Sequence, residues 1–288
     1  VNTRKITLVC GLSFLLMSNA AIAVAQSVDL SDAAIVLDAE RSPLVVRTAA
    51  TVLQEELGKR TGLELPILTH WPSDRPVIAL VDGKNSLLGK RIPKGKVPSR
   101  AEGFCLRVVR NDQKKPILWI HGADGRGVLF GVGFFLRQVV WSPGRLRWEC
   151  SGEIGSAPAF PIRGHQLGYR DVANSYDAWD EKQYEQYIRE LTFWGTNSIE
   201  NIPVWGDTLS PVMKRTPQEM NRAISEICNR YDLDYWVWIP AQFDLNDKEK
   251  RAAFLEQQGK LFADSPRLDA VFFPGGDPGN NPPELVLP

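Results

Sequence analysis

The feature that most constrains this chain is a regular alternation of strand-like and helix-like segments in its second half. Apolar strand-like segments begin at intervals of 35, 37 and 35 residues, near Ile162, Asn197, Asp234 and Asp269. A period of this length predicts repeated strand-plus-helix units. Each predicted helix opens with a capping box, at Asp180–Gln183, Thr216–Glu219 and Asn246–Glu249. One-faced helices and near-continuous apolar strands predict a parallel sheet that is buried on both sides.

Two architectures fit four such units. One is a (β/α)8 barrel, which needs roughly 250 residues, and the other is a doubly wound open sheet, in which the strand order reverses in the middle. The segment 160–288 is about half a barrel long and ends just after its fourth strand. Pro282-Pro283-Glu284 resembles the start of a further helix. We expect the first half of a (β/α)8 barrel, with the chain ending partway round it.

The preceding segment, residues 27–155, predicts a small α+β domain. Strands are expected at 33–38, 77–81, 104–109, 117–121 and 146–150, and helices at 44–57 and 127–140. Ser42-Pro43 would cap the first helix and Gly62 would end it. This order of elements predicts a sheet with its helices packed on one face. The fold class is therefore α/β, with a small α+β domain followed by half a barrel.

The first 25 residues have the pattern of an export signal. Arg4 and Lys5 precede an apolar run from Ile6 to Met17, which is too short to span a bilayer comfortably. Small residues follow, and we expect cleavage after Ala25 and export to the periplasm or the medium, with no membrane attachment of the mature chain. An uncleaved N-terminal anchor is the alternative. Cys10 has no lipobox around it, so a lipid anchor is not expected.

Composition excludes some partners. Lys+Arg and Asp+Glu are balanced at 34 each, which gives no reason to expect nucleic acid or an anionic membrane surface.

Cys105, Cys150 and Cys228 fit no zinc spacing, and they are either three free thiols or one Cys105–Cys150 disulfide with one free thiol. No metal-ligand cluster and no cofactor is predicted, and nothing in the sequence fixes the oligomeric state. Gly122–Gly127 lacks the Lys-Ser/Thr of a phosphate loop and predicts a tight strand-to-helix turn.

In a barrel, active residues cluster where the strands end, and this rule selects three charged candidates. Asp277 follows strand four inside Gly275-Gly276-Asp277-Pro278 and has the chemistry of a general acid, nucleophile or hydroxyl acceptor, unless it only caps a turn. Glu200 lies near the end of strand two. Arg170 ends strand one and could grip a ligand by paired guanidinium hydrogen bonds, or form a surface ion pair with Asp171 or Asp177.

Five further candidates for ligand contact follow from the same rule. They are Tyr169 and His165 on strand one, Asn201 on strand two, Gln242 after strand three, and Trp179 in an aromatic and acidic loop above strand one. The aromatic candidates also have a structural interpretation, because aromatic side chains are ordinary core material. Asp180, in the same loop as Trp179, is already assigned to a helix cap.

The chain also resembles a known group of enzymes. Ala33–Asp38, Leu53–Leu57 and Gly122–Gly131 look like the small α/β domain that precedes the barrel in bacterial β-hexosaminidases and α-glucuronidases. Pro161-Ile-Arg-Gly164 through Arg170 is similar to the first barrel strand of family-20 hexosaminidases. The resemblance implies that an arginine at the Arg170 position binds the terminal sugar. This chain has Gly168 where that strand has an aspartate, and it has one carboxylate after strand four where the family has two.

The resemblance implies an exported glycoside hydrolase, or an N-terminal fragment of one, that acts on O-glycosidic bonds of a carbohydrate. Asp277 and Glu200 would be the catalytic carboxylates, and Trp179 would stack against sugar. The alternatives are a non-catalytic carbohydrate-binding protein and a doubly wound ligand-binding domain with no link to sugars. The particular sugar and the stereochemistry of the reaction are left open.

Overall fold

A computed structural model describes residues 26–83, 86–93, 97, 99–150, 152–169, 176–202, 210–274 and 281–286. The predicted export signal, Arg170 and Asp277 lie outside these ranges. The strands are β1 (Gln26–Asp29), β2 (Ala34–Val36), β3 (Ile67–Leu68), β4 (Val77–Asp82), β5 (Ser86–Leu87), β6 (Lys90–Arg91), β7 (Phe104–Arg110), β8 (Pro116–Gly122), β9 (Val140–Ser142), β10 (Arg145–Cys150), β11 (Ile154–Ser156), β12 (Gly164–Leu167), β13 (Ser198–Asn201), β14 (Asp234–Trp238) and β15 (Ala270–Phe272). The α-helices are α1 (Leu44–Thr61), α2 (Gly125–Gln138), α3 (Glu181–Phe193), α4 (Pro217–Tyr231), α5 (Lys248–Asp264) and the single turn α6 (Pro283–Val286).

The N-terminal elements build a six-stranded sheet in the order β11-β7-β8-β4-β2-β3. Strands β3, β2, β4 and β8 run parallel to one another, and β7 pairs antiparallel with both β8 and β11. A separate antiparallel sheet has the order β1-β10-β9. Helices α1 and α2 cover one face of the six-stranded sheet, as the sequence predicted. The other face is covered by Trp71, Leu87 and Ile92, which pack on Val36, Ala79 and Trp119.

Most local signals for helix ends are confirmed. Gly62 closes α1 in the left-handed conformation at φ 73°, which only glycine adopts without strain. The capping boxes at Asp180–Gln183 and Thr216–Glu219 are both present. The box predicted at Asn246–Glu249 is wrong by one residue, because Asp247 is the cap and accepts from the Lys250 amide at 3.1 Å. Helix α1 also begins one residue late, with Pro43 rather than Ser42 in the cap position.

The segment Gly122–Gly127 forms the predicted tight turn between β8 and α2. Asp124 caps α2 by accepting from the Gly127 amide at 2.8 Å, and its other oxygen accepts from the Glu102 amide at 2.8 Å. A Cβ atom on Gly127 would lie 2.2 Å from the Gly103 carbonyl oxygen, so no larger residue fits there. The turn therefore fixes where α2 starts relative to Glu102 and Gly103, which directly precede β7.

The C-terminal elements build a second sheet of four strands, which we call the parallel sheet. Its order is β12-β13-β14-β15, so order in the sheet equals order along the chain. All three pairings are parallel. The reversal of strand order that a doubly wound sheet requires does not occur among these four strands. Helices α3 and α4 pack on one face through Tyr184, Ile188, Met220 and Ile224, which are buried.

The helices of the two sheets pack against each other and share one hydrophobic core. Helix α2 lies against α3, and α1 lies against α4, where the Thr48 hydroxyl donates to the Arg230 carbonyl at 2.9 Å. Helix α2 approaches α3 closely at Gly133, where an added Cβ would lie 2.5 Å from Phe193 Cα. The layers are therefore sheet, helices, helices and sheet.

Two remaining findings bear on the sequence-based expectations. Cys105 and Cys228 are buried free thiols, whereas the sequence left a disulfide of Cys105 open. No helix among the described residues has the length and apolar character needed to cross a bilayer.

Candidate active site

The two faces of the parallel sheet have different side chains. Successive residues of a strand point to opposite faces, and in β14 Tyr235 and Val237 are buried whereas Trp236 and Trp238 are half-buried. Tyr235 and Val237 face α4, because the Tyr235 hydroxyl donates to Asn221 Oδ1 at 2.6 Å. We call the opposite face the open face. The expectation of burial on both sides is wrong for these strands, because the open face is only partly covered.

A hydrogen-bonded pair lies on the open face. Gln166 and Glu200 are directly opposite in the register of β12 and β13. Gln166 Nε2 donates to Glu200 Oε2 at 3.0 Å. Glu200 Oε1 is buried and has no hydrogen-bond partner among the described residues. An unpaired buried carboxylate oxygen is uncommon in folded proteins, and such groups occur at functional sites.

Aromatic side chains continue the open face on the next two strands. Trp236 lies opposite Glu200 in the register, and Trp238 lies opposite Phe272. Phe272 is 47% exposed. The face thus combines one incompletely bonded carboxylate with large apolar rings, a composition typical of ligand sites. Sequence reasoning missed Gln166, Trp236 and Trp238. The alternation of Trp with Tyr and Val in Tyr235–Trp238 was the available signal, but it was interpreted as a fully buried strand.

Two predicted ligand contacts lie in the interior instead. Tyr169 is fully buried, and its hydroxyl donates to the Arg215 carbonyl at 2.8 Å and accepts from the Arg215 amide at 3.1 Å. Asn201 is also fully buried and donates to Asn221 Oδ1 at 3.1 Å. Both side chains point to the helices, so neither reaches the open face. Tyr169 instead anchors the end of β12 to the start of α4.

His165 and Trp179 belong to an aromatic cluster beside α3. His165 Nε2 is 3.2 Å from the Tyr187 hydroxyl, on the helix side of the sheet. Trp179 packs edge-on against Tyr176, Tyr184 and Tyr187, with ring centroids 4.9–5.5 Å apart. The structure therefore does not bring either ring to Glu200. Gln242 is exposed on the loop after β14.

The loop after β14 is held in place by Asn281, a residue that the sequence analysis did not select. Asn281 Nδ2 donates to the carbonyls of Ala241 and Phe243 at 3.1 and 2.9 Å, and Asn281 Oδ1 accepts from the Leu245 amide at 2.9 Å. The segments that follow β14 and β15 are thus joined at the C-terminal edge of the sheet. No periodicity predicts this, because the bonded groups are backbone atoms of a loop 36–40 residues away.

The N-terminal ends of the same strands carry a charged network centred on Glu102. Its carboxylate accepts from Arg126 Nη1 at 3.1 Å, from Asn197 Nδ2 at 3.0 Å and from Arg163 Nη2. Glu102 is 8% exposed and has a left-handed backbone at φ 63°, which is uncommon for a residue with a side chain. It therefore joins the N-terminal sheet to the residues just before β12 and β13.

The network extends across the sheet through two arginines. Arg126 also pairs with Asp232 and Asp234. Arg267 reaches the same two aspartates at 2.7 and 3.1 Å, and Asp269 at 2.7 Å. The charged groups at this edge are therefore used to hold β14 and β15 against the N-terminal unit.

Burial opposes ionisation of Glu102, but the hydrogen bonds from Asn197, Arg163 and Arg126 outweigh it and lower the pKa of this carboxyl below its ordinary 4.5. Burial likewise opposes the charge of Arg126, and Asp234, Asp232 and Glu102 outweigh that effect and raise its pKa. Both groups are therefore charged at neutral pH and serve structure rather than proton transfer. Within the described ranges, no group of three or more His, Cys, Asp or Glu side chains is arranged to hold a metal ion.

No protein-family model and no curated protein matches this sequence. Similar solved structures do exist. CpGH84B matches with a TM-score of 0.55 and 14% identity, over 86% of this chain and 41% of that protein. The GH20 exo-β-N-acetylglucosaminidase from Vibrio harveyi, in complex with N-acetylglucosamine, matches with a TM-score of 0.52 and 15% identity, over 75% of this chain and 34% of the enzyme. The chitobiase FjGH20 from Flavobacterium johnsoniae matches with a TM-score of 0.50 and 15% identity, over 75% and 32%.

At these identities the likeness concerns the fold. This chain has a mixed α/β fold of the kind found in those glycoside hydrolases, and it spans 32–41% of their lengths.

Proposed function

We propose that this chain is an exported glycoside hydrolase, or the N-terminal part of one, that hydrolyses O-glycosidic bonds. In this proposal the parallel sheet is the first half of a (β/α)8 barrel, residues 27–155 are an accessory α/β domain, and residues 1–25 are a cleaved export signal. The sequential parallel order β12-β13-β14-β15 supports the barrel, because barrel strands follow one another around the ring. The open face then becomes the interior of the barrel.

The observation that carries the proposal is the Gln166–Glu200 pair beside Trp236. Glu200 lies in the C-terminal half of β13, towards the rim where barrel enzymes hold their catalytic groups. Its Oε1 has no bonding partner among the described residues, and Gln166 fixes the other oxygen. A carboxylate positioned in this way can take part in acid–base chemistry or hold a sugar hydroxyl.

Glycoside hydrolysis usually needs two carboxylates. We propose Asp277, after β15, as the second one, and Arg170, after β12, as a residue that orients the sugar. Gln242 would contact the ligand from the loop after β14, which Asn281 holds in place. Two of the similar structures are named for N-acetylglucosaminidase and chitobiase activities, so we propose N-acetylhexosaminides as the first substrate class to test.

The test is hydrolysis of a panel of 4-nitrophenyl glycosides by the complete gene product, with N-acetyl-β-glucosaminide and α-glucuronide in the panel. Glu200→Gln should lower kcat/KM by roughly 10²–10⁴-fold, the range of general acid–base contributions. The matched control is Glu256→Gln, which neutralises an exposed carboxylate paired with Lys260 on α5. No turnover of any glycoside by the parent protein, or equal activity of Glu200→Gln and parent, would overturn the proposal.

A non-catalytic carbohydrate-binding protein is the second candidate. The half-buried rings Trp236 and Trp238 and the exposed Phe272 favour it, since aromatic faces bind sugars without any reaction. Saturable glycan binding with no released product would select this candidate. Trp236→Ala should then abolish binding, and Glu200→Gln should weaken it only modestly.

A further inference from the structure

A cleft lies beside α2 and the end of α3, near the N-terminal ends of the parallel strands. Its volume is about 260 Å³, which is just below the range of ~300–1,000 Å³ that drug-sized ligands occupy. Helix α2, the segment Ser156–Pro158 and the end of α3 form its walls. It lies on the side of Arg163 and Gly195, which precede β12 and β13, whereas Glu200 lies towards the other end of β13. The cleft and the open face are therefore separate places.

Arg137 is the charged residue of this cleft that has aromatic contacts but no hydrogen-bonding or ionic partner among the described residues. Its guanidinium lies 4.4 Å from the centroid of the Trp194 ring and 5.5 Å from that of Phe134. Among the described residues it makes no hydrogen bond and no ion pair. The other charged residues of the cleft, Glu102 and Arg163, are bonded to each other. The cleft therefore has one net positive charge, on the planar guanidinium of Arg137, whose N–H groups match the two oxygens of a carboxylate.

Trp194 supplies a second feature that points to a ligand. It is 75% exposed, which is unusual for the largest apolar side chain. Arg137 stacks on its ring and orients it. The rest of the indole remains accessible at the mouth of the cleft, where a flat aromatic surface can pack against the C–H face of a sugar ring.

The sequence places these two side chains together through a glycine. Gly133 lets α2 approach Phe193 closely. Arg137 follows Gly133 by one helical turn and Trp194 follows Phe193 directly, so the close contact brings the guanidinium onto the indole. The cation and its aromatic partner are therefore held by the packing of two helices.

From this geometry we propose that the cleft binds an acidic saccharide, a uronic acid unit whose carboxylate pairs with Arg137 and whose ring packs on Trp194. The guanidinium of Arg137 can bind the carboxylate, and the exposed indole of Trp194 can pack against the sugar ring. The volume of the cleft suits a single sugar unit. Because the site is remote from Glu200, it anchors an acidic glycan rather than holding a reacting bond. This inference does not depend on whether the protein is an enzyme.

The experiment is calorimetric titration of the purified protein with trigalacturonate and with its neutral counterpart, galactotriose. The parent should bind trigalacturonate roughly tenfold or more tightly than galactotriose, as charge-assisted hydrogen bonds to a carboxylate imply. Arg137→Gln should remove this preference. Trp194→Ala should weaken binding of both saccharides, and Trp194→Phe should retain part of it. Raising the salt concentration should weaken trigalacturonate binding selectively.

Two controls separate this site from others. Arg91→Gln removes an exposed arginine on β6 and should leave both affinities unchanged. Lys260→Gln, which removes an exposed cation paired with Glu256 on α5, should also leave them unchanged. Absence of saturable trigalacturonate binding, or undiminished binding by Arg137→Gln and Trp194→Ala, would overturn the proposal. Equal affinities for triglutamate and trigalacturonate would overturn the assignment to a saccharide, because the cleft would then recognise the carboxylates and not the sugar rings. Thermal melting curves check that the variants are folded.

Discussion

The two ends of the parallel strands differ in how their charged side chains are bonded. At the N-terminal ends, Glu102 and Arg126 link the N-terminal unit to the parallel sheet, and Arg267 joins the residues that begin β14 to those before β15. Towards the C-terminal ends, Glu200 has one oxygen bonded to Gln166 and one without a partner among the described residues. A fully bonded carboxylate stabilises the fold and resists protonation. A buried oxygen without a partner adds nothing to stability, because its loss of water is not compensated, and such groups occur at functional sites.

The largest expected effect is at Glu102. Glu102→Gln leaves the charges of Arg126 and Arg163 without their shared partner, and removing one member of a buried ion pair costs about 3–5 kcal/mol. The free energy of unfolding, from urea denaturation at pH 7, should fall by at least the lower figure. Glu256→Gln is the control, because its exposed i,i+4 pair with Lys260 contributes about 0.5 kcal/mol or less. Equal losses of unfolding free energy in Glu102→Gln and Glu256→Gln would mean that the charged groups at the N-terminal strand ends do not stabilise the fold more than a surface ion pair does.

The pH dependence of the unfolding free energy gives a second test of the structural role of Glu102. The folded-state pKa of Glu102 lies below its ordinary 4.5, so its contribution is fully present above the unfolded pKa and is lost as the pH falls through the folded pKa. The stability difference between parent and Glu102→Gln should therefore be constant from pH 7 to about 5 and shrink below pH 4.5. Urea denaturation at a series of pH values measures it. A difference that stays the same down to pH 3 contradicts this prediction.

The contact between α2 and α3 should be nearly as sensitive. Gly133→Ala places a Cβ 2.5 Å from Phe193 Cα, and overpacking of this kind costs about 1–3 kcal/mol. Gly259→Ala on α5 meets no atom within 4 Å and should stabilise the protein by roughly 0.5–1 kcal/mol, because alanine favours the helix. Opposite signs of the two changes in unfolding free energy are the expected result. Two stabilising changes would mean that α2 and α3 separate at no cost.

The smallest effect on stability is expected at Glu200. Glu200→Gln keeps the shape of the side chain and an acceptor for Gln166, so the free energy of unfolding should change by less than about 1 kcal/mol. Denaturation of the variant beside the parent measures this. A loss above about 2 kcal/mol is typical of breaking a buried hydrogen-bond network. Such a loss would mean that Glu200 stabilises the fold, as we propose for Glu102 at the N-terminal ends.

Much of the local structure could be predicted because its causes are local. The 35-residue period predicted the four parallel strands, and the capping boxes at Asp180 and Thr216 began their helices as expected. The candidate site was predicted less well. Glu200 lies on the open face, but Tyr169 and Asn201, chosen by their position near strand ends, point to the helices. The barrel rule says where along a strand to look, and the pleat decides which face a residue joins.

The sequence by itself determined the alternation of strands and helices in the second half, the two helices of the first half and the tight turn at Gly122–Gly127, because these depend on residues a few positions apart. It did not predict the short strands β1, β3, β5, β6, β9 and β11. Only the tertiary structure decided that Glu102 would bond to Arg163 and Asn197, and that Arg137 would lie against Trp194. Those contacts join residues 57–95 positions apart. They form only when two sheets dock through their helices, and no short-range pattern encodes that packing.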